Sequence, residues 1–433
     1  MTDDHAPEKS PEKSIAEMLE DAEVKALSGK TVEAAALHEA ILARDPKSKP
    51  SLSFLAQEAV TQGRYDEAIA LVERFIAEEP DEALHRHSLG LCHAAKRDFA
   101  SAARAFREAI DIDQRNPLSY LLYGTALAQM GEGMRAAAAA SAAFQLDPGL
   151  AVVKDMSDVA PVIASSIQLG RDLLKAAMQS LHQAAINDTA KRFPGEKLER
   201  VAGALWPTSQ DSPKFKDPLQ RPSVFYMPDL KPRAVYERGS FRWITDLEAA
   251  SDDIIAEYDA NAAKATSVFA LEPHLGVKLE VGGQEAWQAV YLYRNTQAVT
   301  ENLALFPKTA AILKSLPLAQ LGGQPVNAYF SILAPGARIP AHCGQVNSHV
   351  TVHLPLHVTD EASLKIGGKT HHHRPGKAFV FDDSFEHSAA NDGSKPRVVL
   401  IFEVWNPQLS LAERAAVEAS FARRKAWYEN RAI

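Results

Sequence analysis

The run His349-Val350-Thr351-Val352-His353-Leu354-Pro355-Leu356 (HVTVHLPL) alternates polar and apolar residues through its first six positions. Side chains of a strand point to opposite faces with period two, so His349, Thr351 and His353 share one face and Val350, Val352 and Leu354 the other. A polar strand face beside such apolar neighbours is expected to line a cavity. Short runs of similar character surround it: AWQAVYLYR (286–294), VNAYFSIL (326–333), ASLKI (362–366), KAFVFDD (377–383) and RVVLIFEVW (397–405). The turn sequences APGAR, GGK, RPGK and NDGSKP separate them. Strands this short with this punctuation predict a double-stranded β-helix, the jelly roll of the cupin type. A helical segment around Asp246 to Ala263 precedes them, and a last helix over 410–433 starts at a capping box, Ser410 to Glu413.

Three histidines and an arginine stand on or beside these runs. His342 sits in PAHCG, His353 in the quoted strand and His387 at the end of FDDSFEH; Arg397 follows ten residues later. Imidazoles from distant segments, followed by a guanidinium at a strand start, point to a redox-metal site beside a carboxylate pocket, and so to an oxygenase. Arg397 shares a face with Val399 and Ile401, which would bury its stem and aim its fork into the barrel mouth. The competing reading is a surface ion pair with Asp392 or Glu403. Strand alternation keeps His371, His372 and His373 from converging on one ion, and Asp382 and Asp383 read as residues that fix their loop.

The first third of the chain repeats. Prolines 46, 80 and 148 fall on a 34-residue grid whose missing member is Gln114. Twelve residues earlier in each repeat stand Ala34, Ala68, Ala102 and Ala136, and twenty-four earlier Ala22, Ala56, Gly90 and Gly124. The pattern resembles the tetratricopeptide repeat, in which small residues let two helices approach and proline ends the second. Four repeats cover 15–148, with Tyr65, Phe75, Phe99 and Phe106 filling the spaces between them. The resulting α-solenoid would hold a peptide on its concave face or act as a spacer. Residues 1–14 read as a disordered N-terminus, 149–205 as capping helices, and 206–223, with four prolines among polar residues, as a linker.

Composition narrows the function. Of 433 residues, 46% are hydrophobic and 24% charged, as in globular chains. The net charge of −8 is concentrated in residues 1–150, which carry −9. That argues against nucleic acid, whose phosphates need a basic stripe, and favours basic or neutral partners. No apolar run approaches the ~18 residues of a membrane span, and the polar, acidic start fits neither a signal peptide nor an anchor, so a cytoplasmic location with no membrane partner is expected. Cys92 and Cys343 are too few for a disulfide framework.

WQAVYLYR, FSILAPGARIPAHCG, HLPL, FDDSFEH and RVVLIFEVWNP resemble the aspartyl/asparaginyl β-hydroxylases, Fe(II)- and 2-oxoglutarate-dependent dioxygenases. FYMPDLKPRAVYERGSFRWITDLEA (225–249) resembles the family's bacterial entry segment. The resemblance covers about 224–409 and implies a catalytic domain there. It also implies that His342 and His387 bind the metal, with Gly344 at the position where related oxygenases carry an acidic third ligand. Arg397, assisted by Ser331, would hold the distal carboxylate of 2-oxoglutarate, and His353 would contact the same cosubstrate. Where family members show Arg-x-His-Leu, this chain has Thr351-Val352-His353-Leu354. Thr351 therefore stands in the cosubstrate pocket in place of a guanidinium, with His349 on the same face. The implied reaction consumes O2 and 2-oxoglutarate, releases succinate and CO2, and hydroxylates the β-carbon of Asp or Asn in a peptide or protein recruited by the repeats. Two rival readings are a tetratricopeptide scaffold whose hydroxylase-like domain is catalytically impaired, and a cupin using another metal for isomerisation or hydrolysis.

Overall fold

The computed structural model describes residues 13–207, 213–270 and 286–431, apart from the side chain of Phe269. It divides into two compact units, Met1–Met178 with Asn430–Ile433, and Gln179–Glu429. Most of the N-terminal stretch expected to be disordered, 1–12, lies outside the described residues. Ser14 caps the first helix through a capping box with Glu17.

The first unit holds four helical hairpins: Ile15–Leu27 with Thr31–Arg44, Lys49–Thr61 with Tyr65–Glu78, Ala83–Ala95 with Phe99–Ile112, and Pro117–Gln129 with Gly133–Leu146. The small residues of the grid sit where these helices touch. Ala34, Ala68, Ala102 and Ala136 are fully buried. A Cβ at Gly90 would come 2.7 Å from the Phe106 ring, and one at Gly124 would come 3.0 Å from the Ala136 carbonyl oxygen. Phe106 is buried, whereas Tyr65, Phe75 and Phe99 are half-buried. Beyond the repeats, Ile167 packs with Leu121 and Ala143 and covers the last hairpin.

The segment expected to cap the repeats does not all pack with them. Ile186, Leu198, Val201 and Ala204 join Phe225, Met227, Ala412, Ala416 and Val417 in one core of the second unit. The expected linker is no spacer either: Leu205 bridges Tyr226, and the Trp206 ring lies edge-on to Phe225 at 4.7 Å. Clustered prolines exclude a helix there, but they leave the side chains free to pack. No helix among the described residues is long and apolar enough to cross a membrane.

The strands of the second unit are β1 Val268–Phe269, β2 Trp287–Arg294, β3 Gln297–Ala298, β4 Gln320–Leu321, β5 Gln324–Pro325, β6 Ala328–Leu333, β7 Arg338–His342, β8 His349–His357, β9 Ala362–Ile366, β10 Lys369–His371, β11 Phe379–Phe381, β12 His387–Asn391 and β13 Arg397–Trp405. They form a seven-stranded sheet in the order β1-β2-β6-β13-β8-β11 with β3 beside β2, a four-stranded sheet in the order β10-β9-β12-β7, and the small pair β4-β5. All their ladders are antiparallel. Besides strands of two or three residues, β7 and β12 fall outside the runs read from the sequence, because Pro340 and a register shift at His387/Ala389 interrupt their patterns.

One face of the large sheet, with Val350, Val352, Leu354, Leu400 and Phe402, packs on the helices Ile244–Ala249, Ser251–Asn261 and Pro307–Ser315. The other face meets the small sheet through Trp287, Tyr291, Leu333, Ile339, Leu364, Phe381 and Ala389. Period-two alternation thus sends the valines of β8 to the helices and its polar residues between the sheets. The last helix, Leu411–Asn430, starts as expected: Ser410 N donates to Glu413 Oε2 (2.9 Å) and Glu413 N to Ser410 Oγ (3.2 Å).

Candidate active site

Antiparallel pairing of β7 with β12 sets His342 opposite His387, with ring centroids 4.1 Å apart. Each ring is fixed by its own chain: His342 Nδ1 donates to Pro340 O (2.9 Å) and His387 Nδ1 to Phe385 O (2.9 Å). A carbonyl only accepts, so the proton sits on Nδ1 and both Nε2 lone pairs are free. Burial, and then the His342 ring, pulls His387 down to about 3, and burial also lowers His342. Two neutral imidazoles with fixed tautomers are the donor set that a divalent transition metal takes. Among the described residues no group of three His, Cys, Asp or Glu could hold an ion. The pair therefore fits a metal whose remaining positions are filled from outside the protein.

Both histidines line a cavity of about 240 Å³, as do Ser331, Thr351, His353 and Arg397. The structure thus brings together all six residues singled out from the sequence. Arg397 is 2% exposed, and its Nε and Nη2 have no hydrogen-bond partner among the described residues. The surface ion pair is absent: Asp392 pairs with Arg338, and Glu403 accepts from Asn327 and His349. Burial pulls the guanidinium down to about 10, which leaves it cationic at neutral pH. Each unpaired buried donor costs about 1–3 kcal/mol or more, and a carboxylate of matching fork geometry would satisfy both.

Ser331 is buried and its Oγ accepts from Trp287 Nε1 (3.0 Å), so its own proton remains to donate. His353 Nδ1 lies 3.3 Å from His373 Nε2, and burial holds both rings well below the usual histidine range. One proton is shared across that contact, so His373 sets the tautomer that His353 shows to the cavity.

Thr351 hydrogen-bonds the carboxyl of Asp383. Desolvation, then the nearby Glu403 charge, pushes that carboxyl well above the usual range. Asp382, by contrast, does fix its loop: it accepts from Ser384 N (3.0 Å) and Gln220 Nε2 (2.9 Å), and burial raises it to about 7. Asp383, Glu403, Trp287, Tyr329 and His373 belong to the site or its wall, yet none was read as a site residue: Asp383 stood as a loop residue, Glu403 as a rival ion-pair partner of Arg397, and His373 as one of three histidines kept from converging. Only the face shared by Arg397, Ile401 and Glu403 carried a signal for any of them.

The sequence profile described as aspartyl/asparaginyl beta-hydroxylase matches residues 248–407, which include Ser331, His342, Thr351, His353, His387 and Arg397, and the rat aspartate beta-hydroxylase domain-containing protein 2 is 31% identical over 246 residues, 55% of this chain and 69% of that protein. The chain belongs to the aspartyl/asparaginyl β-hydroxylase family. The human protein of the same name is 32% identical over 208 residues, 47% of this chain and 56% of its own length, so the chain spans little more than half of it. The ornithine lipid ester-linked acyl 2-hydroxylase of Rhizobium tropici is 28% identical over 181 residues, 41% of this chain and 62% of that enzyme. A tetratricopeptide repeat profile matches 55–117, within the helical hairpins. This β-hydroxylase family member thus carries its matched domain behind helical repeats.

Proposed function

We propose that the chain is an Fe(II)- and 2-oxoglutarate-dependent dioxygenase that hydroxylates a C–H bond of a peptide or protein, with the β-carbon of Asp, Asn or a similar residue as target. The observation that carries this reading is the buried, unpartnered fork of Arg397 in the same cavity as the opposed His342 and His387. In this reading the two sheets are the halves of a double-stranded β-helix, and the domain is cytoplasmic. When bound, iron with 2-oxoglutarate and O2 supplies the oxidising equivalents, with succinate and CO2 as by-products of the hydroxylated substrate.

The chain's own residues do the positioning. His342 and His387 hold the metal through Nε2. Arg397 binds the distal carboxylate of the cosubstrate, and Ser331 adds a hydroxyl donor. His353, held by His373, contacts the cosubstrate from the β8 face, and Thr351 keeps the Asp383 carboxyl turned beside Gly344. Holding the reactants in register within a desolvated cavity is the protein's contribution to rate. The tetratricopeptide repeats recruit the protein substrate.

The scaffold reading rests on Thr351 in place of the family arginine. Against it stand two metal-competent imidazoles and a guanidinium kept buried at energetic cost. Anaerobic loading with iron, then exposure to oxygen with 2-oxoglutarate and candidate peptides, tests the proposal through succinate formation. Absence of succinate under every condition would favour the scaffold.

A further inference from the structure

The cavity has two unlike ends. Arg397 and Glu403 lie six residues apart on β13, about 20 Å at ~3.3 Å per residue, and both side chains line it. Among the described lining residues, Arg397 is the single side chain with a fixed positive charge, while Asp383 and Glu403 bring carboxyls. Arg294, the cation next along β2, is stacked on the Tyr291 ring at 4.9 Å and does not line the cavity.

Two side chains hold Glu403 in place. Asn327 Nδ2 donates to its Oε1 (2.8 Å) and His349 Nδ1 lies 3.3 Å from its Oε2. His349 is 4% exposed, stands edge-on to Trp405 at 4.7 Å, and its Nε2 has no hydrogen-bond partner among the described residues. A carboxylate at 19% side-chain exposure, supported by an amide and an imidazole, thus stands next to an orphaned buried nitrogen that can accept. A second carboxylate brought to this end would meet the Glu403 carboxylate, whereas a cationic nitrogen would pair with Glu403 and donate to His349 Nε2.

We infer that Glu403, positioned by Asn327 and His349, is a substrate-reading group that receives a cationic nitrogen, so that the substrate presents a lysine- or arginine-type group at the end of the cavity opposite Arg397. The net charge of −9 over residues 1–150 has the sign that attracts the same kind of molecule. The inference rests on the proposed use of the cavity, with the Arg397 end taken by the cosubstrate.

The test is a calorimetric titration of the full chain with manganese and 2-oxoglutarate, which reads binding without turnover. The probes are peptides that all carry one target Asn and differ only at the residue beside it, which is Lys, Arg, Asn or Asp, and the same four amino acids blocked at both ends. The Lys and Arg peptides should bind at least tenfold more tightly than the Asp peptide, and Glu403→Gln should bring that ratio below threefold. The same order among the blocked amino acids would assign the cation to a small molecule, and its restriction to peptides would assign it to a protein. Equal affinities, tighter binding of Asp, no binding by any probe, or a ratio unchanged in Glu403→Gln would overturn the inference. The wild-type order alone decides if that variant does not fold. Failure of the dioxygenase reading shows separately, as absence of succinate in an aerobic iron assay whichever probe binds.

Discussion

The carboxyl of Asp383 occupies the space that a side chain at Gly344 would fill: a Cβ built on Gly344 would lie 2.8 Å from Asp383 Oδ2 and closer still to the rest of that carboxyl. Gly344 N also donates to Asp383 O at 2.7 Å, so the backbones are locked together beside His342. A side chain at position 344 and a carboxyl at 383 are therefore alternatives in the same volume. Gly344→Ala should destabilise the protein by about 1–3 kcal/mol, the cost of overpacking. Adding Asp383→Gly should relieve part of that loss, because the two changes compete for one space. Denaturant unfolding of the two single variants and the double variant measures the coupling, and additive losses would separate the two residues.

Arg397→Met should raise the 2-oxoglutarate requirement while leaving metal binding largely intact. It removes a charge-assisted pair in a buried site, worth about 2–5 kcal/mol, yet touches neither imidazole. Separate titrations of metal and cosubstrate distinguish the effects; unchanged 2-oxoglutarate affinity would place the cosubstrate elsewhere.

A fragment spanning Gln179–Glu429 should be soluble and fold, and one starting at Pro222 should aggregate. The shorter fragment loses Ile186, Leu198, Val201 and Ala204, exposing the apolar faces of Phe225, Met227, Ala412 and Ala416. Large side chains in such a core contribute about 1.5–3 kcal/mol each. It also strips Glu413, 3% exposed, of Arg200, whose Nε donates to it at 2.7 Å. Solubility and thermal unfolding of the two fragments settle where the domain begins.

The buried histidines should contribute less stability to the metal-free protein as pH falls below about 6.5, opposing Asp382 and Asp383, whose raised carboxyls take up protons in the folded chain. Burial holds His353 and His373 well below the usual range and His387 at about 3, so between those values and 6.5 the unfolded chain binds protons that the folded chain refuses. The stability these groups confer is complete above 6.5 and is lost toward the folded values, at up to about 1.4 kcal/mol per pH unit for each group. His373→Phe removes one of them and should flatten the dependence. Denaturant midpoints at pH 7.5, 6.5 and 5.5 in both proteins check the slope, and parallel curves would remove His373 from the account.

The features that repeat or alternate were legible in the sequence. The 34-residue grid fixed the hairpins because each alanine on it meets a neighbouring helix, and the alternation in HVTVHLPL separated the cavity face of β8 from its core face. His342, His387 and Arg397, which line one cavity, were singled out because short motifs surround them. The partners that shape the site were not, since they are made by contacts between distant segments: Asp383 with Gly344, His373 with His353, and Glu403 with Asn327. The extent of the second unit was hidden for a similar reason. Proline density at 206–223 reports the local backbone conformation, whereas Val201 and Trp206 pack on residues far away in the chain.

Following succinate from 2-oxoglutarate in the full chain, with and without Fe(II), alongside His342→Ala and His387→Ala, decides whether the opposed histidines hold a working iron. Two protein nitrogens hold the metal in this account, so either substitution leaves a single tether. Iron- and oxygen-dependent succinate is expected in the wild type, with loss of both stoichiometric iron and succinate in each variant. Iron occupancy and turnover near the wild-type level in either variant would contradict it.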